Sequence, residues 1–259
     1  MSEPLESSEK DAPAVKPRRL RRSVFVLPSL FTVANLFCGY FAIIATMNGR
    51  YSEAAIAIAT AILLDSMDGS IARLTNTTSE FGLQLDSLSD IISFGLAPSI
   101  LVLKWGFLPN IDTRLAIAAA FAFTICGAMR LARFNVQSGN LKHFVGLPIP
   151  AAGGMIASIV YFFKEPISDP LYAGIMVAVT LILAFLMVGS LRYNSMKGVA
   201  LGKKSHLTVL IIALLFVLIY SWSRETLLIL AVSYVVSGPF LKVYGILRRK
   251  KPDETNFSA

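Results

Sequence analysis

AIAIATAILLDSMDGSIARLTNTTSEFGLQLDSLSD, residues 55–90, sets four aspartates against an uncharged apolar run. Asp65 and Asp68 are three apart at the end of that run, and Asp86 and Asp90 are four apart beyond it. Residues three or four apart share a helix face, so each pair forms one acidic patch. The linker between them, LTNTTSE (74–80), is short and polar. It makes the two helices antiparallel neighbours and brings both pairs of carboxylates to one end. Such a cluster is costly, because a central intramembrane Asp costs roughly 2.5–3.5 kcal/mol and carboxylates held together repel. A solvated helix face does not account for it, since the rest of both helices is apolar. Structural ion pairing does not either, since Arg73 is the only basic residue between Asp65 and Asp90. Bound divalent cations do. Oxygen-only ligands suit Mg²⁺, Mn²⁺ or Ca²⁺, and the stretch has no His or Cys for zinc. Four carboxylates on two helices have room for two ions, the arrangement used to clamp the oxygens of a phosphoryl displacement. Gly69, Ala72 and Gly82 keep the neighbouring positions small, which allows a bulky phosphate ligand to approach the backbone.

The rest of the chain has the composition of a membrane protein. Of its 259 residues 55% are hydrophobic and 15% charged, against about 25% charged in soluble domains. A span needs roughly 20 mostly apolar residues. Eight such stretches are predicted, near 24–48, 52–73, 82–104, 114–134, 148–163, 170–190, 206–222 and 226–246. In lipid only helices and closed barrels satisfy the backbone. These runs are too long for strands and do not alternate, so the predicted fold is an all-α, polytopic membrane helical bundle. An even span number puts both termini on one side. If that side is the cytoplasm, it receives 19 of the 24 lysines and arginines, which agrees with the positive-inside rule. The far side keeps Arg50, Lys104, Arg114, Lys164 and Arg224.

The predicted organisation is a disordered tail (1–15), a basic juxtamembrane segment (16–23), a six-helix membrane domain (24–190) that carries the aspartates, a basic loop (191–205), two additional membrane helices (206–246) and a tail (247–259). The net charge of +8 is explained by basic residues facing anionic headgroups and calls for no nucleic acid. Cys38 and Cys126 both fall inside predicted spans and read as small packing residues, not as a disulfide or metal site. His206 and Ser205 sit at a membrane boundary with nothing nearby to complete a site.

The aspartate stretch, read as Asp68-Gly69-x2-Ala72-Arg73-x8-Gly82-x3-Asp86-x3-Asp90 with Asp65 three before it, resembles the signature of the CDP-alcohol phosphatidyltransferase family. Every fixed position matches. The resemblance implies a six-helix membrane core over residues 24–190, a homodimer, and transfer of a phosphatidyl group from a CDP-linked lipid to an alcohol with release of CMP. It implies one Mg²⁺ or Mn²⁺ on Asp65, Asp68 and Asp86 and a second on Asp65, Asp86 and Asp90. Asp90 would also be the general base for the acceptor hydroxyl. Thr32, Asn35, Gly69, Ala72, Arg73, Ser79 and Gly82 would line the CDP-diacylglycerol site. Arg73 also has the plainer reading of an orientation charge, and Gly82 that of a packing glycine.

Four further stretches resemble the bacterial phosphatidylserine synthase branch of that family: LPSLFTVANLFCGYFAII (27–44), IISFGLAPS (91–99), ICGAMRLARFNVQ (125–137) and FVGLPIPAAGG (144–154). That likeness implies L-serine as acceptor, held by Arg130, Arg133, Phe134 and Asn135, and a bacterial inner membrane location with the active site facing the cytoplasm. An arginine forks onto a carboxylate, and serine carries both a carboxylate and a hydroxyl. The plainer reading makes both arginines orientation charges and Phe134 an interface aromatic. Pro148 and Pro150 suit a helix first turn, and Gly153 and Gly154 suit close helix packing. Another acceptor, such as inositol phosphate, glycerol phosphate or choline, stays open at this stage. A dianionic acceptor would draw on Arg130, Arg133 and Lys142, whereas choline would want an aromatic cage that these loops lack. A divalent-cation transporter is the rival of a different class. It would want acidic groups through the membrane depth, but these aspartates gather at one end. Serine attack is expected to be direct, since no His or Cys lies beside the cluster to form a covalent intermediate.

Overall fold

Small residues decide how the first two helices meet. α1 (Ser23–Met47) and α2 (Tyr51–Thr75) pack against each other through Ala42 and Ala45 on one side and Ala54, Ala55, Ile58 and Ala61 on the other, all buried. Without a hydrophobic drive inside lipid, close backbone approach is what holds helices together. The turn between them is closed by Gly49, at φ 72°, and by Arg50 N–H donating to the Ala45 carbonyl at 2.8 Å. The computed structural model describes residues 23–75, 80–137, 144–189, 191–193 and 221–248; the side chains of 23–29, 68–75, 137, 144–145, 192–193 and 243–248 lie outside that description.

α3 (Glu80–Phe107) runs through the middle of the bundle and is the most buried of the apolar spans. It is continuous but widens into π-helical turns at Ile91–Leu96 and Leu103–Phe107. Pro98 has no N–H to give to the preceding turn, and Ala97 N–H bonds five residues back, to Ile92. Single wide turns of this kind gather at functional sites, and the first begins immediately after Asp90. α4 (Thr113–Gln137), α5 (Ile149–Phe163), α6 (Pro170–Val188) and α7 (Ser223–Arg248) complete the described helices. The core between them is filled by Phe94, Leu101, Trp105 and Phe107 of α3, Phe123 of α4, Ile149 and Ile156 of α5, and Leu183 and Met187 of α6.

Two sets of loop contacts define the ends of the bundle. At one end Phe144–Val145 and Arg192–Tyr193 form a two-residue antiparallel pair, and Gly146 N–H donates to the Leu191 carbonyl at 2.8 Å. This joins the segment after α4 to the segment after α6. At the other end Ile167 N–H donates to the Trp105 carbonyl at 3.0 Å, and Asn110 Nδ2 to the Ile167 carbonyl at 2.6 Å. This joins the segments after α3 and α5. Helices therefore alternate in direction, and the end of α2, the start of α3 and the end of α4 share the first face.

The predicted spans match the helices closely: 24–48 against Ser23–Met47, 114–134 against Thr113–Gln137, 148–163 against Ile149–Phe163. Among the described residues five helices, α1, α3, α4, α6 and α7, are long and apolar enough to cross a membrane by themselves. α5 is shorter at 15 residues, or about 22 Å, and is wrapped by α2, α3 and α7. The predicted seventh span (206–222) lies almost wholly outside the described residues, as do the tails.

Candidate active site

The three acidic side chains that can be placed do converge. Asp65, in the C-terminal half of α2, and Asp86 and Asp90 on α3 present carboxylate oxygens that lie within 4.8 Å of one another. Asp90 is buried, 8% exposed, and the other two are half-buried. Three negative charges at that spacing repel by about 3–4 kcal/mol per ionised pair at an effective dielectric of 20. Arg130 of α4 attracts Asp90, but one cation does not offset three anions. An all-oxygen, multiply charged donor set fits a hard divalent cation, so the residues present suit the metal that the sequence implies. Asp68, Gly69, Ala72 and Arg73 follow on the last turns of α2, with their side chains outside the described part; Asp68 is one turn beyond Asp65. Ser79 lies outside the described residues. Gly82 stands one turn before Asp86, half-buried.

The α1–α3 interface holds Asp90 in place. Asn35, 1% exposed, donates from Nδ2 to Asp90 Oδ1 at 3.4 Å. One turn apart on α3, Ser89 donates to the Thr32 carbonyl at 3.2 Å and Ser93 to the Asn35 carbonyl at 3.0 Å. Both bonds rely on close helix contact, which Gly39 provides: a Cβ there would lie 2.7 Å from the Ser93 Cα. Gly153 does the same for α5, where a Cβ would meet the Phe94 carbonyl oxygen at 2.8 Å. Thr32 and Asn35, expected from sequence to touch the CDP lipid, are both buried, and what Asn35 touches is Asp90. Its Oδ1 is buried with no hydrogen-bond partner.

The acceptor candidates divide into two groups. Arg130 points inward, toward Asp90, and its buried Nε has no partner. Asn135 donates from Nδ2 to Ser87 Oγ at 2.9 Å, which docks the end of α4 beside Asp86. Arg133 is exposed, and Phe134 is 43% exposed. The arrangement therefore brings Arg130 and Asn135 to the aspartates and leaves Arg133 and Phe134 on the outside of α4. Sequence reasoning missed Ser87, Ser89 and Ser93. Their signal is present in DSLSDIIS (86–93), where Ser89 and Ser93 are one turn apart and Ser87 adjoins Asp86.

Taken together, the site offers a divalent-cation cradle, a buried carboxylate one hydrogen bond from a neutral amide, and an inward arginine with an unused donor. A carboxylate cluster of this kind suits a divalent cation, and an inward guanidinium can pair with an anionic group.

Sequence comparisons give the same direction. The model of the family described as CDP-alcohol phosphatidyltransferase matches residues 25–186. A CDP-diacylglycerol–serine O-phosphatidyltransferase of Helicobacter pylori is 34% identical over 233 residues, covering 87% of this chain and 91% of the relative. An archaetidylserine synthase of Methanothermobacter thermautotrophicus is 38% identical over 68% of this chain and 72% of its own length. A CDP-diacylglycerol–serine O-phosphatidyltransferase of Bacillus subtilis is 35% identical over 66% of this chain and 91% of its own.

Proposed function

The chain belongs to the CDP-alcohol phosphatidyltransferase family, and from that premise we propose how its residues move a phosphatidyl group from CDP-diacylglycerol to L-serine with release of CMP. It is an integral membrane enzyme of phospholipid biosynthesis. The observation that carries the assignment of roles is the meeting of Asp65, Asp86 and Asp90 with the inward Arg130 at one end of the bundle.

Asp65, Asp68, Asp86 and Asp90 hold two divalent ions, Mg²⁺ or Mn²⁺. When bound, these supply positive charge to the pyrophosphate and to the departing CMP. Gly69, Ala72, Arg73, Ser79 and Gly82 line the nucleotide side, with small residues beside the phosphates and Arg73 supplying a cation. Arg130 takes the serine carboxylate, which satisfies its free Nε. Asn135, tied to Ser87, fixes the end of α4 so that the serine hydroxyl points at Asp90. Asp90, oriented by Asn35, accepts the hydroxyl proton. The serine oxygen bonds to the β-phosphorus as the bond to the CMP oxygen breaks. Phosphatidylserine and CMP leave, and the proton passes from Asp90 to water. A direct displacement needs no enzyme nucleophile.

Among the described residues Arg130 is the arginine turned toward the aspartates, and one guanidinium matches the one carboxylate of serine better than the dianion of inositol phosphate or glycerol phosphate, which would draw on Arg133 and Lys142 as well. We place the site on the cytoplasmic side of a bacterial inner membrane, the side to which the eight-span reading of the sequence assigns 19 of the 24 basic residues, and we read the enzyme as a homodimer. Mass spectrometry of the lipid product tests the reading. Wild type with CDP-diacylglycerol, Mn²⁺ and L-serine is expected to yield phosphatidylserine and CMP in equal amounts. Phosphatidylserine formation by Asp90→Asn at the wild-type rate would overturn the role given to that residue.

A further inference from the structure

The wide turn after Asp90 is where α3 departs from regular geometry, and two hydroxyls gather at its end. Pro98 has no N–H to give to the Phe94 carbonyl, and Ala97 N–H reaches five residues back, to Ile92. In lipid, a helix disturbed by proline is held by Ser and Thr side chains and by neighbouring helices. Ser99, buried in the bundle, donates to the Leu96 carbonyl at 2.8 Å. Thr124 of α4 donates to Ser99 Oγ at 2.9 Å and lies 3.4 Å from the Gly95 carbonyl oxygen. Gly95 and Leu96 are the last two residues of the wide turn. α4 therefore grips the turn at its end, while Ser89 and Ser93 tie its beginning to α1. Each residue turns a helix by about 100°, so one extra residue in a turn offsets the two halves of α3 by that angle. The second half is fixed by Trp105 and Phe107 in the core. The wide turn then sets which way Asp86 and Asp90 point, and they meet Asp65 of α2 only in that setting.

We infer that the Thr124–Ser99 hydroxyl pair is a clasp that holds the wide turn and thereby keeps Asp86 and Asp90 in register with Asp65 for a divalent cation. The inference rests on the reading of the aspartates as a metal centre. Ser99 lies nine residues beyond Asp90, about 13 Å along the helix at 1.5 Å per residue. Both hydroxyls are therefore positioning groups, which act on metal affinity through the backbone of α3.

The experiment follows binding of Mn²⁺ alone to the full-length, detergent-purified chain, by loss of the free-ion EPR signal, with the melting temperature recorded separately in EDTA. Thr124→Val keeps the shape and removes the hydroxyl. It is expected to weaken Mn²⁺ binding about fivefold, the fold-change of one net hydrogen bond. Thr124→Ser, which keeps the hydroxyl, is expected to bind as wild type does. Ser99→Ala is expected to weaken binding at least as much as Thr124→Val, and carries the test should Thr124→Val not fold. The double variant should match Ser99→Ala, because the two hydroxyls act as one unit. Thr46→Val is the control. Thr46 is also buried and donates to the Ala42 carbonyl at 2.8 Å, but at the other end of the bundle, so its loss should lower the melting temperature and leave Mn²⁺ affinity unchanged. If Asp86→Ala weakens Mn²⁺ binding while Thr124→Val and Ser99→Ala lower only the melting temperature, the inference fails and the metal reading stands. If Asp86→Ala binds Mn²⁺ as wild type does, both fail. An equal loss of affinity in Thr46→Val, or no recovery in Thr124→Ser, gives the hydroxyls a structural role only and overturns the inference.

Discussion

At the scale of single residues, Asp90 has the most demanding position. It is buried, shares a metal cradle with Asp65 and Asp86, and receives a hydrogen bond from a residue 55 positions away. As the proton acceptor it is expected to carry a large part of the rate. Asp90→Asn, close in shape and unable to take the proton, should lower kcat by about 10²–10⁴-fold, the range for general base removal, as read by CMP release. Asn35→Ala should lower kcat about tenfold, as expected when an oriented base loses a single hydrogen bond. It should do so with KM for serine little changed; a raised KM for serine at unchanged kcat would show that Asn35 serves the acceptor instead. The aspartates were legible in the sequence because carboxylates at helical spacing in an apolar run are too costly to stand there without a ligand. Asn35's partner was not, because a contact between α1 and α3 leaves no trace in the spacing of either helix. Arg130 and Arg133 look equivalent in RLARF. The structure separates them: they lie about 60° apart on one side of α4, which turns Arg130 into the bundle with its Nε buried and leaves Arg133 at the exposed edge.

At the scale of elements, the site depends on how closely α1, α3 and α5 approach. Gly39 against Ser93 and Gly153 against Phe94 leave no room for a side chain. Gly39→Val is expected to force α1 and α3 apart, at a cost of about 1–3 kcal/mol as for other overpacked positions, and to loosen Asp90 at the same time. Thermal melting in detergent and CMP release should fall together. Gly174→Ala, where an added Cβ meets nothing within 4 Å, is the matched control and should leave both unchanged. Helix positions were readable to within a few residues because apolar length is imposed by the membrane. The wide turns after Asp90 and the two-residue strand pair were not readable. A wide turn is a local register change in a helix that stays continuous, and a strand pair joining residues 144–145 to 192–193 is a long-range contact between two loops.

At the scale of the whole molecule, the bundle has two unlike ends. The aspartates, Arg130, Asn135 and the strand pair share one; Gly49, Arg50 and the Trp105–Ile167 contact share the other. On the eight-span reading of the sequence 19 of the 24 basic residues belong to the first side, which sets the expected orientation. In a background lacking Cys38 and Cys126, Val136→Cys and Arg50→Cys should be labelled by a membrane-impermeant maleimide from opposite sides. Val136→Cys should react in inside-out vesicles and Arg50→Cys in right-side-out ones; the reverse pattern would place the site outside the cytoplasm. Both positions are exposed, so failure of access is not expected to hide the result. The C-terminal helix was anticipated as a span but had no role on the sequence alone. Its place against α5 emerges only once the chain is folded.

The most direct test of the proposed reaction is CMP release from CDP-diacylglycerol by the purified full-length chain, with L-serine, inositol phosphate, glycerol phosphate or choline supplied singly, with Mg²⁺ or Mn²⁺ and after chelation by EDTA. The predicted result is metal-dependent release with L-serine alone and none after chelation. Release with a phosphorylated acceptor in place of serine would contradict the reading of Arg130, and release that survives chelation would contradict the aspartate cluster as a metal centre.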